Sequence, residues 1–132
     1  MAMNVNPIPT VDERINDIRG RTAEIVNEDI LPNERVLWRS TEDSTFTEHT
    51  EALERRAAIK ERVRTAGLWA PHLPQEYGGM GLDFLAHAYM NEVLAYALGA
   101  ASLFGVVAPN SGNQSILVKY GTEEQKQQWL HP

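Results

Sequence analysis

The sequence predicts an all-α fold, a bundle of about five to six helices, from three observations. Apolar residues recur at spacings of three and four along each periodic segment, helix starts carry capping residues, and no alternating run bounded by turn signals is visible. No internal repeat appears either, which disfavours a solenoid.

At 132 residues the chain can bury one continuous core, and its 42% hydrophobic and 23% charged content is that of a folding domain. A net charge of −6 opposes phosphate backbones and anionic lipid, so no nucleic acid is expected as a partner. Cysteine is absent, which excludes disulfides, thiolate nucleophiles and cysteine-held metals, and fits a reducing compartment. The start MAMNVNPIPT has no basic-then-apolar leader, and no stretch nears the ~20 apolar residues that a bilayer span needs. A cytoplasmic location without a membrane span is expected.

Residues 1–9, with two prolines and no apolar period, read as a flexible N-terminus before a helical domain over 10–132. Thr10 with Glu13 has the spacing of a capping box, and Val11, Ile15, Ile18, Thr22, Ile25, Val26 and Ile30 then mark one helical face. Pro32 is expected to end that helix, because it disfavours helical geometry at Leu31. Pro32 to about Thr45 reads as a long connection pinned by Trp38. A second helix is expected over Thr47 to Ala66, with Ala52, Ile59, Val63 and Ala66 inward and Gly67 as its left-handed cap.

Leu68 to Gly81 reads LWAPHLPQEYGGMG, an ordered turn-rich loop in which prolines remove donors and glycines permit positive φ. Asp83 caps a third helix whose expected inner face is Leu85, Ala88, Tyr89, Val93 and Tyr96, running until Gly99. Ala100 to Val107 is almost wholly apolar and reads as a helix buried on all sides, closed by Pro109. Asn110 or Ser111 starts a further helix through Tyr120, ended by Gly121. Thr122 with Gln125 forms a second capping box that leads to Trp129 and Leu130.

Self-contained chemistry is hard to find. His49, His72, His87 and His131 lack zinc-ligand spacing, no serine has a G-x-S-x-G setting, and Gly78, Gly79 and Gly81 match neither a dinucleotide fingerprint nor a Walker loop. The basic run Glu54 to Arg64 reads as a solvated face with i, i+4 pairing, with a partner or nucleotide contact as the other reading. No carboxylate is marked as a general base by a paired acid. No metal site and no catalytic residue are expected.

Four motifs then occur in order. Leu73-Pro74-Gln75-Glu76-Tyr77-Gly78-Gly79-Met80-Gly81-Leu82 resembles the L-P-x-E-Y-G-G-x-G-L loop of acyl-CoA dehydrogenases. Ala66-Gly67-Leu68-Trp69 before it and Asn91-Glu92-Val93-Leu94-Ala95 after it resemble the family's a-G-L-w step and E-E-L-A helix. Lys119-Tyr120-Gly121-Thr122-Glu123-Glu124-Gln125-Lys126-Gln127-Gln128-Trp129-Leu130 is similar to r-f-G-T-e-e-Q-K-x-x-y/w-L. Ala108-Pro109-Asn110-Ser111-Gly112-Asn113 resembles a branch associated with longer, branched or 4-hydroxylated acyl chains.

The resemblance implies the N-terminal helical part of a three-part, FAD-dependent enzyme, without its middle β-domain and C-terminal helical domain. In such enzymes a glutamate of the C-terminal part takes the α-proton of an acyl-CoA while flavin N5 takes the β-hydride, giving a trans-2-enoyl-CoA. The resemblance implies that FAD is held mainly by the other parts and a neighbouring subunit, so this chain alone is expected to be inactive and to hold no flavin. A homo-oligomer and an electron-transfer partner are also implied for the full-length enzyme.

The resemblance further implies that the apolar segment at about Ser102 to Asn110 walls the acyl-chain cavity, with Leu103, Phe104, Val107 and Ala108 as candidates. Burial of an acyl tail is worth ~0.8 kcal/mol per methylene, and the chemistry needs a site without water. The plain alternative for these four is core packing, since an all-apolar segment is also what a buried one looks like. For the whole chain, the alternative is a standalone helical interaction module without catalytic activity.

Overall fold

A computed structural model describes residues 2–38, 40, 41 and 44–131. Met1 and Pro132, the outer ends of the two expected segments, lie outside the described residues. The fold is helical, with α1 (Glu13–Ile25), α2 (Glu34–Leu37), α3 (Thr50–Thr65), α4 (Phe84–Leu94), α5 (Ala100–Leu103), α6 (Asn110–Tyr120) and α7 (Glu123–Trp129). Since α2 and α5 are single turns of four residues each, the five longer helices carry the architecture.

The fold class is all-α as expected, with one short hairpin in the connection between α2 and α3. β1 (Ser40–Thr41) pairs antiparallel with β2 (Ser44–Glu48), placing Ser40 opposite Glu48 and Thr41 opposite Ser44. The segment is too short to display a period, yet Thr45, Phe46 and Thr47 are strand-prone residue types. The hairpin moves the start of α3 from the expected Thr47 to Thr50.

The α1 stripe behaves as its spacing predicts, with Ile18, Thr22, Ile25, Val26 and Ile30 buried. Its start does not. Asp12, rather than Thr10, is the cap, its Oδ1 accepting the Arg14 amide at 2.8 Å. A turn closed by Val11 N–H on the Ile8 carbonyl, at 3.1 Å, occupies the residues before it and delays the helix.

Pro32 does not break the helical path either. Leu31 stays in the right-handed helical region at φ −54°, ψ −45°. The chain widens into a π turn over Val26–Ile30, tightens into a 3-10 turn over Leu31–Asn33, and continues into α2. Pro32 sits in the first positions of the 3-10 turn, where its missing N–H is not needed.

α3 ends as predicted. Gly67 at φ +68° follows the Ala66 cap, and the Leu68 and Gly67 amides return to the Val63 and Arg64 carbonyls at 3.0 and 2.9 Å. The motif satisfies two orphan carbonyls and buries Leu68 beside Val63.

Asp83 caps α4, its Oδ1 accepting the Ala86 amide at 2.8 Å. The inner face of α4 is Ala86, Met90, Val93 and Leu94, whereas Leu85, Ala88 and Tyr96 are exposed. Apolar residues cover both sides of this helix, so periodicity permitted two stripes, and packing against α1 selected one. The helix also stops at Leu94, short of Gly99.

The core gathers α1, α3, α4 and α5 around Val26, Ile30, Val63, Met90, Leu103 and Phe104. Trp38 anchors the connection to it, as expected. Its Nε1 donates to the Leu98 carbonyl at 2.8 Å, and Leu98 N–H donates to Glu34 Oε1 at 2.7 Å. Asn16, Arg19 and Asn27 hydrogen-bond to Ile8, Asn6 and Met3 along α1. Among the described residues no helix is long and apolar enough to cross a membrane.

Candidate functional site

The apolar segment after Gly99 becomes one turn of helix rather than two. Gly105 adopts φ +76°, which lets Val106 N–H return to the Ala101 carbonyl at 2.8 Å and stops α5 at Leu103. Leu103 and Phe104 thereby point into the core and are fully buried. Val107 and Ala108 emerge on the far side of the turn, Val107 at 40% exposure and Ala108 exposed as well. The four expected wall residues therefore fall on two surfaces.

The glycine-rich loop 68–82 supports this junction. Ala70 N–H donates to the Phe104 carbonyl at 2.9 Å, and the Trp69 ring lies over Gly105, so close that a Cβ there would sit 3.1 Å from it. The Arg64 guanidinium lies 4.1 Å from the Trp69 ring centroid. The amides of the glycine turn are already used. Gly78, Gly79, Met80 and Gly81 donate to the carbonyls of Gln75, Pro74, Ala70 and Leu73, at 3.0, 3.2, 3.3 and 2.8 Å. Gly79 is glycine for a different reason from its neighbours: a Cβ would collide with the Leu73 carbonyl.

A phosphate cradle needs free N–H groups pointing at one place. The turn Gly78 to Gly81 has spent its four donors, so those glycines make no cradle for the diphosphate of a flavin or nucleotide.

A cleft of about 660 Å³ opens between the loop and the end of α3, lined among others by Arg64, Trp69, Glu76, Tyr77, Gln114 and His131. None of the four expected wall residues lines it. Beside it, Lys126 is almost wholly buried, donating to the Tyr77 hydroxyl at 3.1 Å and to Glu123 Oε1 at 3.0 Å. Those hydrogen bonds, to Tyr77 first and then Glu123, raise its pKa. They also tie α7 to the loop, and the Thr122–Gln125 capping box starts α7 as its sequence predicts.

The structure also joins residues that sequence spacing kept apart. The His72 and His87 rings stack at 6.2 Å between centroids, and His72 Nε2 meets Gln114 Oε1 of α6 at 3.0 Å. No spacing in the sequence pairs His72 with His87, because they lie in separate segments. Among the described residues no group of three or more His, Asp or Glu side chains is placed to hold a metal.

Three of the four sequence motifs lie in the step before the loop, in the loop itself and in the capped α7, while the fourth lies at the end of α4. The family model described as "Acyl-CoA dehydrogenase, N-terminal domain" matches residues 12–132. The chain belongs to that family. A solved structure from Mycobacterium abscessus, described as an acyl-CoA dehydrogenase, superposes with a TM-score of 0.78 at 28% identity, over 92% of this chain and 31% of that one.

Two relatives of this N-terminal domain align in sequence. "Acyl-CoA dehydrogenase family member 10" of Mus musculus is 43% identical over 79 residues, 56% of this chain and 7% of the relative. "Short-chain specific acyl-CoA dehydrogenase, mitochondrial" of Bos taurus is 40% identical over 80 residues, 58% of this chain and 18% of the relative. The chain thus matches only a small part of each relative's length.

Proposed function

We propose that this domain serves an FAD-dependent acyl-CoA dehydrogenase, oxidising an acyl-CoA to the trans-2-enoyl-CoA, by forming part of the acyl-chain wall. The observation that carries this reading is the outward apolar ledge of Val107 and Ala108, held rigid by the α5 turn beneath it. Leu103 and Phe104 support the ledge from the core and touch the tail only through it.

The base and the flavin contacts belong to the middle and C-terminal domains of the longer enzyme, a reading supported by the glycine turn Gly78 to Gly81, whose amides are all taken. Exposed Ile116, Tyr120 and Trp129 on α6 and α7 are apolar surface for those domains to cover. The longer enzyme is a cytoplasmic homo-oligomer that passes electrons to a protein acceptor. The same exposed side chains favour a second reading, a helical interaction module without activity of its own.

In the longer enzyme, Ala108→Leu should shift relative kcat/KM along a chain-length series by several-fold to about a hundredfold, with little effect on the shortest substrate. Phe104→Ala should instead cost roughly 3–5 kcal/mol of stability and leave the ranking unchanged. An unchanged ranking in Ala108→Leu removes the ledge from the pocket.

A further inference from the structure

The N-terminal segment lies antiparallel to α1 and is held by its main chain. Met3 N–H donates to Asn27 Oδ1 at 2.7 Å, and Asn27 Nδ2 donates back to the Met3 carbonyl at 2.8 Å. Further along, Ile8 N–H donates to Asn16 Oδ1 at 2.9 Å, and Asn16 Nδ2 donates to the Ile8 carbonyl at 3.0 Å. Each asparagine amide thus pairs with both polar groups of one residue, as a neighbouring strand does. Between them Arg19 Nη1 donates to the Asn6 carbonyl at 3.0 Å.

The spacing is that of two matched periods. Asn16 and Asn27 lie about three helical turns apart on one face, roughly 16 Å at the rise of an α-helix. Met3 and Ile8 are also roughly 16 Å apart at the rise of an extended chain. The strap's composition suits this register. Pro7 and Pro9 have no N–H, so Ile8 offers the sole donor of that triplet, and Asn16 takes it. Met3, Val5 and Ile8 are half-buried while Ala2, Asn4 and Asn6 face out, and Met3 packs on the core.

Arg19 is only 6% exposed, its Nε has no partner, and among the described residues no carboxylate pairs with it. A buried guanidinium met by carbonyl oxygens can read a backbone, whereas one saturated by an acid cannot.

We propose that Asn16, Arg19 and Asn27 form a peptide-binding track on α1 that takes an extended polypeptide by its main chain, with residues 3–8 as its displaceable occupant in cis. The chemistry sets the preference: an extended segment, an apolar side chain at the Met3 position, and a residue with an N–H at the Ile8 position. A tethered strap acts at an effective concentration of the order of millimolar, so an added peptide competes only where the strap is weakened.

The test uses the whole chain. In the unsubstituted protein, the Met3 and Ile8 amides should exchange at least about fivefold more slowly than the Val5 amide. Asn27→Ala, which removes both the acceptor of the Met3 N–H and the donor to its carbonyl, should speed exchange at Met3 and leave Ile8 protected. An acetylated peptide of residues 2–10 should then bind the Ile8→Pro chain saturably, shifting the side-chain amides of Asn16 and Asn27. The same peptide carrying Ile8→Pro should bind at least about tenfold more weakly. Coil-like exchange of both amides, equal binding of the two peptides, or no saturable binding up to millimolar peptide would overturn the track. A dimer with exchanged straps in sedimentation would overturn the cis occupant.

Discussion

His72 of the loop and His87 of α4 stack ring on ring, and each keeps one buried ring nitrogen, Nδ1 and Nε2 respectively, without a hydrogen-bond partner. Burial lowers the His87 pKa from 6.5, and the neighbouring His72 lowers it further. The unfolded chain therefore binds a proton at a pH where folded His87 does not, so the stability is fully present above about pH 6.5. It is lost as the pH falls from there through the folded pKa.

Urea unfolding should accordingly show a stability that declines below about pH 6.5, and His87→Gln should flatten that part of the slope. An unchanged slope in the variant would mean that other groups carry the dependence.

Gly99 and Gly20 should respond to alanine in opposite directions. Gly99 stands at φ +66° with its Cα hydrogen against the Trp38 ring, so a Cβ meets both strain and collision. Gly99→Ala should cost roughly 2–4 kcal/mol. Gly20 lies inside α1 with nothing within 4 Å of an added Cβ, and Gly20→Ala should gain about 0.5–1 kcal/mol. Denaturant midpoints of the two variants check both signs.

Arg62 joins α3 to α1 and the π turn through Glu24 at 3.3 Å, Glu28 at 2.7 Å and Asp29. Its side chain is 37% exposed, so solvent screens these pairs. Arg62→Met should cost about 1 kcal/mol at low salt and less at molar salt. A cost independent of salt would assign the residue's worth to the packing of its stem.

By itself the sequence determined the features that close within a few residues. The α1 stripe, the Gly67 cap, the Asp83 cap and the Thr122–Gln125 box all depend on neighbours three to five positions away. The loop Leu73 to Leu82 was legible for a similar reason: most of its amides bond within the loop or to nearby Ala70 and Pro71, which demands prolines and glycines at fixed places.

Only the tertiary structure decided which apolar surface became core. α4 offered two stripes and α1 buried one; α5 had to end at Leu103 before Phe104 could turn inward and Ala108 outward. The His72–His87 pair and the Asn16–Arg19–Asn27 track likewise join residues from separate segments. Periodicity says that a side chain is apolar, while burial depends on the partner it meets, and that partner lies elsewhere along the chain.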